Sequence, residues 1–319
     1  MRSGPDRVAR DEQYLDTPET RGSTESMDML TLTFLGVGNA FAKRNFQSNV
    51  LVEAWSASPD RQGKPDETLL VDCGTTAPQA LHRLRERPGF AYLDHAGSAD
   101  YRELRHIFVT HQHGDHAGGL EELALMNLFA HAGAGTGHRP RLISAPEILV
   151  DLWEHSLKGG LGVLRGRAAK LEDYFVPCPV RPGVAGADRF GWTDRYELRP
   201  FRTDHVRIDE KYDWPSLGLL FCDAVSGASV FFSGDTGFDF DAYAEMMTQA
   251  RLCFHEVDLG DEELTVHSSL RQLRTLPAEI KKKTFLYHYG DDWDSGPYDA
   301  VGDEFAGFAR PFDRYVLFD

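Results

Sequence analysis

Val109–Leu123 reads VTHQHGDHAGGLEEL, and six of its residues hold three histidines and one aspartate. His111 and His113 alternate along an extended segment, so their side chains project from the same side of the backbone. Asp115 and His116 follow a glycine bend and are free to face a second point. Crowding several imidazoles into one turn is unfavourable, and the cost is not offset unless the rings bind a cation. The stretch therefore predicts ligands for two neighbouring metal ions.

The residues on either side of this cluster predict a strand and then a helix. LRHIFVTH, residues 104–111, is a short apolar run typical of a buried strand, and GGLEELALMNLFAHAG, residues 118–133, favours a helix. The cluster then lies on a strand-to-helix loop, which is the usual position of functional residues in a layered α/β protein.

Other segments predict the remaining elements of an α/β fold. Strands are predicted within residues 29–38, 46–55, 67–76, 195–206, 216–224, 228–237, 251–259, 283–290 and 308–319. Helices are predicted within residues 77–87, 241–250 and 269–277, and residues 140–157 predict a strand followed by a helix. Residues 159–183 predict a helix followed by a loop.

The size and composition of the chain indicate one large domain. The 319 residues are 41% hydrophobic, which is ample for a buried core, and no apolar run is long enough to span a bilayer. Residues 1–28 are polar, and they predict a flexible tail ahead of a hydrolase domain over residues 29–319. This tail lacks the apolar run of a secretory signal, so we expect a cytoplasmic protein. The four cysteines form no CxxC pair, and we expect buried free thiols: Cys73, Cys178, Cys222 and Cys253.

The charge of the chain argues against a nucleic-acid partner. The net charge is −16, and the only dense basic run is Lys281–Lys283, which is typical of a solvated helix end. Proteins that bind long polyanions rely on basic patches to neutralise phosphates. We therefore expect a small-molecule or short nucleotide substrate held by metal, with neither membrane nor long nucleic-acid partners.

Three further metal-ligand candidates lie at the ends of predicted strands: His205, Asp235 and His288. Two ions need more ligands than the cluster offers, and a single carboxylate such as Asp235 suits a bridge between two cations. Taken alone, His205 or His288 would more often be an ordinary polar residue. The glycine segment GVGNAF, residues 36–41, is followed by a strand and lacks the third glycine, so it favours a tight turn over a nucleotide-binding loop.

These motifs together resemble the metallo-β-lactamase superfamily over roughly residues 29–295. The resemblance rests on the HxHxDH cluster, on LLVDCGT before it, and on the order of SGDTG and LYHYG after it. It implies a four-layer αββα sandwich with the site at one edge. It also implies that Asp72 braces the ligand loop without binding metal.

A finer resemblance is to the branch that contains ribonuclease Z and small phosphodiesterases. It rests on FLGVGNAF and NFQSN near the start, on DHVRIDEKYDWPSLGLLF, and on CFHEVDLG followed by VHSSL. This likeness implies that His267, aided by Glu256, donates a proton to the leaving group. A tRNA-gripping arm is not evident, and together with the acidic charge this argues against tRNA 3′-end processing.

The resemblance implies how the ligands are shared. One ion would take His111, His113, His205 and Asp235, and the other would take Asp115, His116, Asp235 and His288. Zinc suits imidazole and carboxylate donors, although manganese or iron would also fit them. A water between the ions would be acidified towards a pKa of about 7 and attack phosphorus or carbonyl carbon, with Asp115 available to orient it.

The predicted function is therefore a dinuclear metal-dependent phosphodiesterase, which we expect to be a homodimer. Three alternatives stay open at this point: hydrolysis of a lactone, thioester or β-lactam, tRNA 3′-processing, and metal binding without turnover. A diiron redox role is disfavoured because such members often place carboxylates in the cluster.

Overall fold

The structure is a computed structural model, and it describes residues 28–56, 63–95, 97–99, 101–129, 138–207, 213–260, 266–295, 298 and 300–319. The predicted tail lies outside this part of the chain except for residue 28. Among these residues, no helix combines the length and the apolar character needed to cross a bilayer.

Two large sheets dominate the described residues. In chain order the strands are β1 (Met29–Gly36), β2 (Asn49–Trp55), β3 (Glu67–Val71), β4 (Asp94–His95), β5 (Ser98–Ala99), β6 (His106–Phe108), β7 (Arg141–Ser144), β8 (Val163–Leu164), β9 (Arg167–Ala168), β10 (Val176–Pro179), β11 (Phe190–Gly191), β12 (Tyr196–Arg207), β13 (Asp213–Asp223), β14 (Ser229–Phe232), β15 (Leu252–Glu256), β16 (Thr284–Tyr287), β17 (Gly307–Phe308) and β18 (Arg314–Phe318). The first sheet has the order β10-β7-β6-β3-β2-β1-β18, and the second has the order β11-β12-β13-β14-β15-β16-β17.

Short helices and turns connect these strands. The α-helices are α1 (Ala77–Leu84), α2 (Gly114–Ala117), α3 (Leu120–Phe129), α4 (Pro146–Asp151), α5 (Lys158–Leu161), α6 (Phe240–Gln249), α7 (Leu270–Leu273), α8 (Ala278–Lys281) and α9 (Val301–Glu304). A π-helical turn, Leu152–Leu157, continues α4. Among the described residues, 3₁₀ turns cover Ala91–Leu93, Tyr101–Glu103 and Leu171–Asp173.

The two sheets pack face to face through aromatic side chains. Phe34 of β1 contacts Phe254 of β15 and Tyr287 of β16, with ring centroids 5.4 and 5.6 Å apart. Helices cover the outer faces: α1 packs on β1, and Tyr243 of α6 packs on Phe201, 5.7 Å between ring centroids. Strand β1 is buried along almost its whole length because both of its faces are covered. The predicted αββα sandwich is confirmed.

The strand directions place the functional loops at one edge. In the first sheet β3, β6 and β7 are parallel, and in the second β14, β15 and β16 are parallel. The carboxyl ends of parallel strands meet at the same edge of a sheet, where ligands bind in open α/β sheets. The cluster after β6 and the residues that follow β14, β15 and β16 therefore converge.

The prediction for residues 159–183 was wrong in part. A helix is present but short, α5, and it is followed by the hairpin β8–β9, a 3₁₀ turn and strand β10, where a loop was expected. Strand β10 is not predicted from the sequence because it contains Pro177 and Pro179, and proline within a run argues against a strand. Here the strand lies at the open edge of the sheet, where proline is tolerated.

The cysteines carry free thiols, as predicted. Cys73, Cys222 and Cys253 are buried, but Cys178 on the edge strand β10 is only half-buried, so the prediction of burial was wrong for that residue. Edge position explains the difference, since one side of β10 has no neighbouring strand.

Candidate metal centre

The first group of candidate ligands comprises three histidines. Nδ1 of His113 lies 2.9 Å from Nε2 of His111 and 3.1 Å from Nε2 of His205. His111 and His113 follow β6 of the first sheet and His205 lies in β12 of the second, yet the three nitrogens lie within 4.8 Å of one another. The three imidazoles could hold one metal ion.

The second group adds two carboxylates and two more histidines. Oδ2 of Asp115 lies 3.3 Å from Nε2 of His116 and 3.4 Å from Nε2 of His288. Oδ2 of Asp235 lies 3.2 Å from each of the same two nitrogens. All four residues are buried, and together they could hold a second ion.

Asp235 stands between the two groups. Its Oδ2 atom is also 3.9 Å from Nε2 of His111, a member of the first group. Both carboxylate oxygens and Nε2 of His116 are buried, and among the described residues they have no hydrogen-bond partner. A buried charged oxygen without a donor is costly. A pair of cations would satisfy all three orphaned atoms, so the donor set fits two metal ions.

A bulge in β12 brings His205 and Asp235 into register. The pairing of β12 with β13 shifts between Thr203 and Val206, which inserts one extra residue on the β12 side. The freed carbonyl of Asp204 accepts from the Gly237 amide at 2.6 Å. The Thr203 hydroxyl donates to the Asp235 carbonyl at 3.0 Å. The bulge thus delivers one ligand and fixes the loop that carries the other.

Hydrogen bonds orient the imidazoles from behind. Nδ1 of His116 lies 2.7 Å from Oδ2 of Asp72, and the same carboxylate accepts from the Thr110 amide and hydroxyl, both at 2.8 Å. Nδ1 of His111 donates to the Thr110 hydroxyl at 3.0 Å, and Nδ1 of His205 donates to the Val266 carbonyl at 2.7 Å. With the proton held on Nδ1, the Nε2 lone pair of each ring is free for a cation.

Asp72 itself occupies a left-handed backbone conformation, with φ of 63°. Non-glycine residues adopt this region uncommonly, and aspartate tolerates it better than most. The carboxylate makes three polar contacts to the ligand loop and is absent from both ligand groups. Its geometry is that of a brace.

Burial keeps the first group neutral. It lowers the pKa of His111 well below its usual range, and together with the neighbouring His205 it lowers the pKa of His113 to about 4. Burial also lowers the pKa of His205. Neutral imidazole is the form that binds metal, so these three rings are ready to act as ligands near neutral pH.

The second group carries charge. Burial alone would raise the pKa of Asp235, but His116 and His288 outweigh it and hold that pKa well below its usual range. For His116, burial is likewise outweighed: Asp235, Asp115 and Asp72 raise its pKa well above the ordinary value. The Asp115 and Asp235 carboxylates therefore stay ionised in a buried pocket, and they hold a proton on His116 that a bound cation would displace.

Glu256 and His267 form a pair beside the second group. Nδ1 of His267 lies 3.2 Å from Oε1 of Glu256, and that oxygen also accepts from the Thr236 and Ser268 amides. Oε2 of the same buried carboxylate is 3.8 Å from Nδ1 of His288. Burial opposes protonation of His267, but the charge and hydrogen bond of Glu256 raise its pKa to about 9.

The structure brings together every residue predicted for the site. His111, His113, Asp115, His116, His205, Asp235, Glu256, His267 and His288 fall into overlapping groups of potential ligands. The other described histidines lie outside these groups; His106, for example, is buried against the Thr68 carbonyl. His131 lies outside the described residues.

Sequence analysis missed three participants. Thr110 links Asp72 to His111, the Val266 carbonyl fixes His205, and the indole of Trp214 packs on His113 with ring centroids 4.5 Å apart. A tryptophan within the segment DHVRIDEKYDWPSLGLLF was the available signal for the last. A carbonyl partner leaves no trace in a sequence.

One protein-family model matches most of the chain. The family model described as "Anti-Pycsar protein Apyc1" matches residues 30–315. The protein of that name from Paenibacillus sp. (strain J14) is 35% identical over 269 residues, which are 83% of this chain and 91% of the relative. Its namesake from Bacillus phage vB_BsuM-Goe3 is 33% identical over 271 residues, with 83% and 91% covered.

Solved structures confirm the metallo-β-lactamase fold. The metallo-β-lactamase fold protein YhfI from Bacillus subtilis aligns with a TM-score of 0.62 at 15% identity, covering 91% of this chain and all of its own. The short form of human tRNase Z gives 0.59 at 18% identity, covering 90% and 99%. Unliganded yeast PDE1 gives 0.61 at 15% identity, covering 88% and 93%.

Proposed function

The chain belongs to the Anti-Pycsar protein Apyc1 family, and on this basis we propose that it is a dinuclear metal phosphodiesterase that opens a small cyclic nucleotide. The observation that carries the proposal is the two buried ligand groups, in which the Asp235 oxygens have no hydrogen-bond partner among the described residues. The Glu256–His267 pair lies beside them. The names of the family and of the PDE1 neighbour support a nucleotide phosphodiester as the substrate.

The proposed metal ligands follow the two groups described above. His111, His113 and His205 would hold one ion, Asp115, His116 and His288 would hold the other, and Asp235 would serve both. Zinc is our proposed metal, because imidazole nitrogen and carboxylate oxygen in these numbers suit it. When bound, such a pair of cations supplies an acidified water as nucleophile and stabilises charge on the phosphoryl oxygens.

His267 is proposed as the general acid. Its Nδ1 faces Glu256, which leaves Nε2 free to give a proton to the departing alkoxide as the phosphorus–oxygen bond breaks. An alkoxide is a poor leaving group, so this proton transfer matters for a ribose ester. We propose that Asp115 orients the attacking water and also serves as a ligand.

The test compares two leaving groups. Purified zinc-loaded protein should open a 3′,5′-cyclic nucleotide to a single monophosphate. Chromatography of the reaction mixture measures this product. His267→Ala should lower kcat for that substrate by roughly 10²–10⁴-fold, the usual contribution of a general acid. The effect on bis-p-nitrophenyl phosphate should be far smaller, because nitrophenolate leaves without protonation.

His155→Ala is the matched control, since that side chain is 73% exposed on a helix away from the site. Equal rates for wild type and His267→Ala on the cyclic substrate would remove His267 from the mechanism. A wild-type protein that is inactive on phosphodiesters but turns over a lactone, a thioester or a tRNA 3′ end would overturn the proposed substrate class.

A further inference from the structure

Trp214 borders the first ligand group from the neighbouring strand. It pairs with Val206 across the β12–β13 ladder, directly beyond the bulge that delivers His205. Its indole meets the His113 ring at an interplanar angle of 88° with centroids 4.5 Å apart. Trp214 remains partly exposed. A large aromatic ring therefore lies against a candidate ligand and still faces solvent.

Because the molecule is acidic, we expect apolar contacts to contribute to the binding of an anionic nucleotide. The molecule carries a net charge of −16, and among its described arginines Arg44 pairs with Asp294 and Arg207 pairs with Asp204. Metal and protonated His267 would attract the charged phosphate, but a nucleobase carries no charge for them to attract. The rest of such a molecule must gain affinity by other means.

From this placement we propose that Trp214 is a specificity residue whose indole stacks on the nucleobase of the bound nucleotide. The inference rests on the proposed function, since it assigns the recognition element of the same site. Aromatic rings bind any base through its π-face, and removing such a ring weakens binding by roughly tenfold to a hundredfold. Trp214, which is partly exposed, offers such a ring next to the candidate ligand His113.

A rival role for Trp214 is to orient His113. The rings of His111, His116 and His205 have polar partners on Nδ1, whereas His113 directs Nδ1 into the site and has the indole at its side. An orienting role would alter metal content and would weaken all phosphate ligands alike. A base-stacking role would weaken only ligands that possess a base.

The decisive experiment measures binding of three ligands to the zinc-loaded protein by calorimetry. Uridine and adenosine 5′-monophosphate carry a base, and ribose 5-phosphate has the same sugar phosphate without one. Wild type should bind the nucleotides at least about tenfold more tightly than ribose 5-phosphate. Trp214→Ala should bring this ratio close to one with its zinc content unchanged, and Trp214→Phe should retain most of the preference.

Trp153→Ala is the matched control, because Trp153 lines a separate groove with Pro146, Leu149 and Pro179. Several outcomes would overturn the inference: no preference for nucleotides in wild type, an unchanged ratio in Trp214→Ala, or loss of zinc with equal weakening of all three ligands. Because binding is measured without turnover, failure of the proposed hydrolysis is detected separately, in the cyclic-nucleotide assay.

Discussion

At the scale of single residues, the identity of the candidate ligands could be predicted but their ring orientation could not. Four of the ligand histidines turn Nε2 towards the centre, whereas His113 turns Nδ1. The choice depends on partners such as the Thr110 hydroxyl and the Val266 carbonyl, which are brought close only by folding. Residue spacing in the cluster therefore predicts that metal binds, while hydrogen bonding decides which nitrogen binds it.

Glu256 gives a pH-dependent prediction. A general acid must be protonated, so kcat falls as the pH rises through the pKa of His267, which Glu256 raises to about 9 against the effect of burial. Glu256→Gln removes the charge, and Oε1 of glutamine is still able to accept from the Thr236 and Ser268 amides. The pKa of His267 should then fall, and the alkaline limb of the kcat–pH profile should move to lower pH.

The measurement is the full kcat–pH profile on a cyclic nucleotide. Glu154→Gln is a suitable control, because that side chain is exposed and pairs only with Lys158 among the contacts of the described residues. An alkaline limb that stays in place in Glu256→Gln would show that Glu256 does not set the pKa of the acid.

At the scale of elements, alternating patterns predict strands well but do not reveal their irregularities. The pattern in residues 195–206 predicts β12, yet it gives no sign of the bulge at Thr203–Val206 that turns His205 into the site. Likewise β10 was missed, since its two prolines argue against a strand. Both features depend on the neighbouring strand, which a local pattern does not contain.

The prolines of β10 protect an open sheet edge. The Val176 amide donates to the Pro140 carbonyl and the Val180 amide donates to the Ser144 carbonyl, both at 2.9 Å. Residues 177 and 179 alternate with them and face outwards, where proline has no N–H to offer another strand. The edge therefore lacks the donors that would pair with a second molecule.

Pro177→Val combined with Pro179→Val should make the protein self-associate. The change adds two outward N–H groups and raises β propensity, so folding stability should stay within about 1 kcal/mol while association increases. Light scattering against protein concentration should show larger particles than wild type. Pro182→Val, just beyond the strand, should behave like wild type, and equal scattering by all three proteins would contradict the protective role.

At the scale of the whole molecule, the candidate ligands join two sheets that are far apart in sequence. The first sheet contributes His111, His113, Asp115 and His116, and the second contributes His205, Asp235 and His288. The order of these motifs resembles a known superfamily, and that likeness made the sandwich predictable. Composition and periodicity alone indicate an α/β protein but do not specify which strands become neighbours. The predicted homodimer stays a prediction.

This arrangement predicts that metal stabilises the entire fold. An ion that binds only the native state adds about 2.7 kcal/mol when its free concentration is 100 times its Kd. Bound ions would connect the sheets and relieve the repulsion between the Asp115 and Asp235 carboxylates, both ionised and buried. Zinc added to chelator-treated protein should therefore raise Tm by several degrees in calorimetry, with two equivalents retained by elemental analysis.

Asp235→Asn separates this effect from general stabilisation by zinc. Asparagine keeps the size of the side chain but removes the charge that both candidate ions would share, so the rise in Tm and at least one equivalent of zinc should be lost. Asp173→Asn removes the charge that pairs with the exposed Arg167, outside both ligand groups, and should respond to zinc as wild type does. If zinc raised the Tm of Asp235→Asn as much as that of wild type, with full zinc content, the two sheets would not be joined through a shared carboxylate.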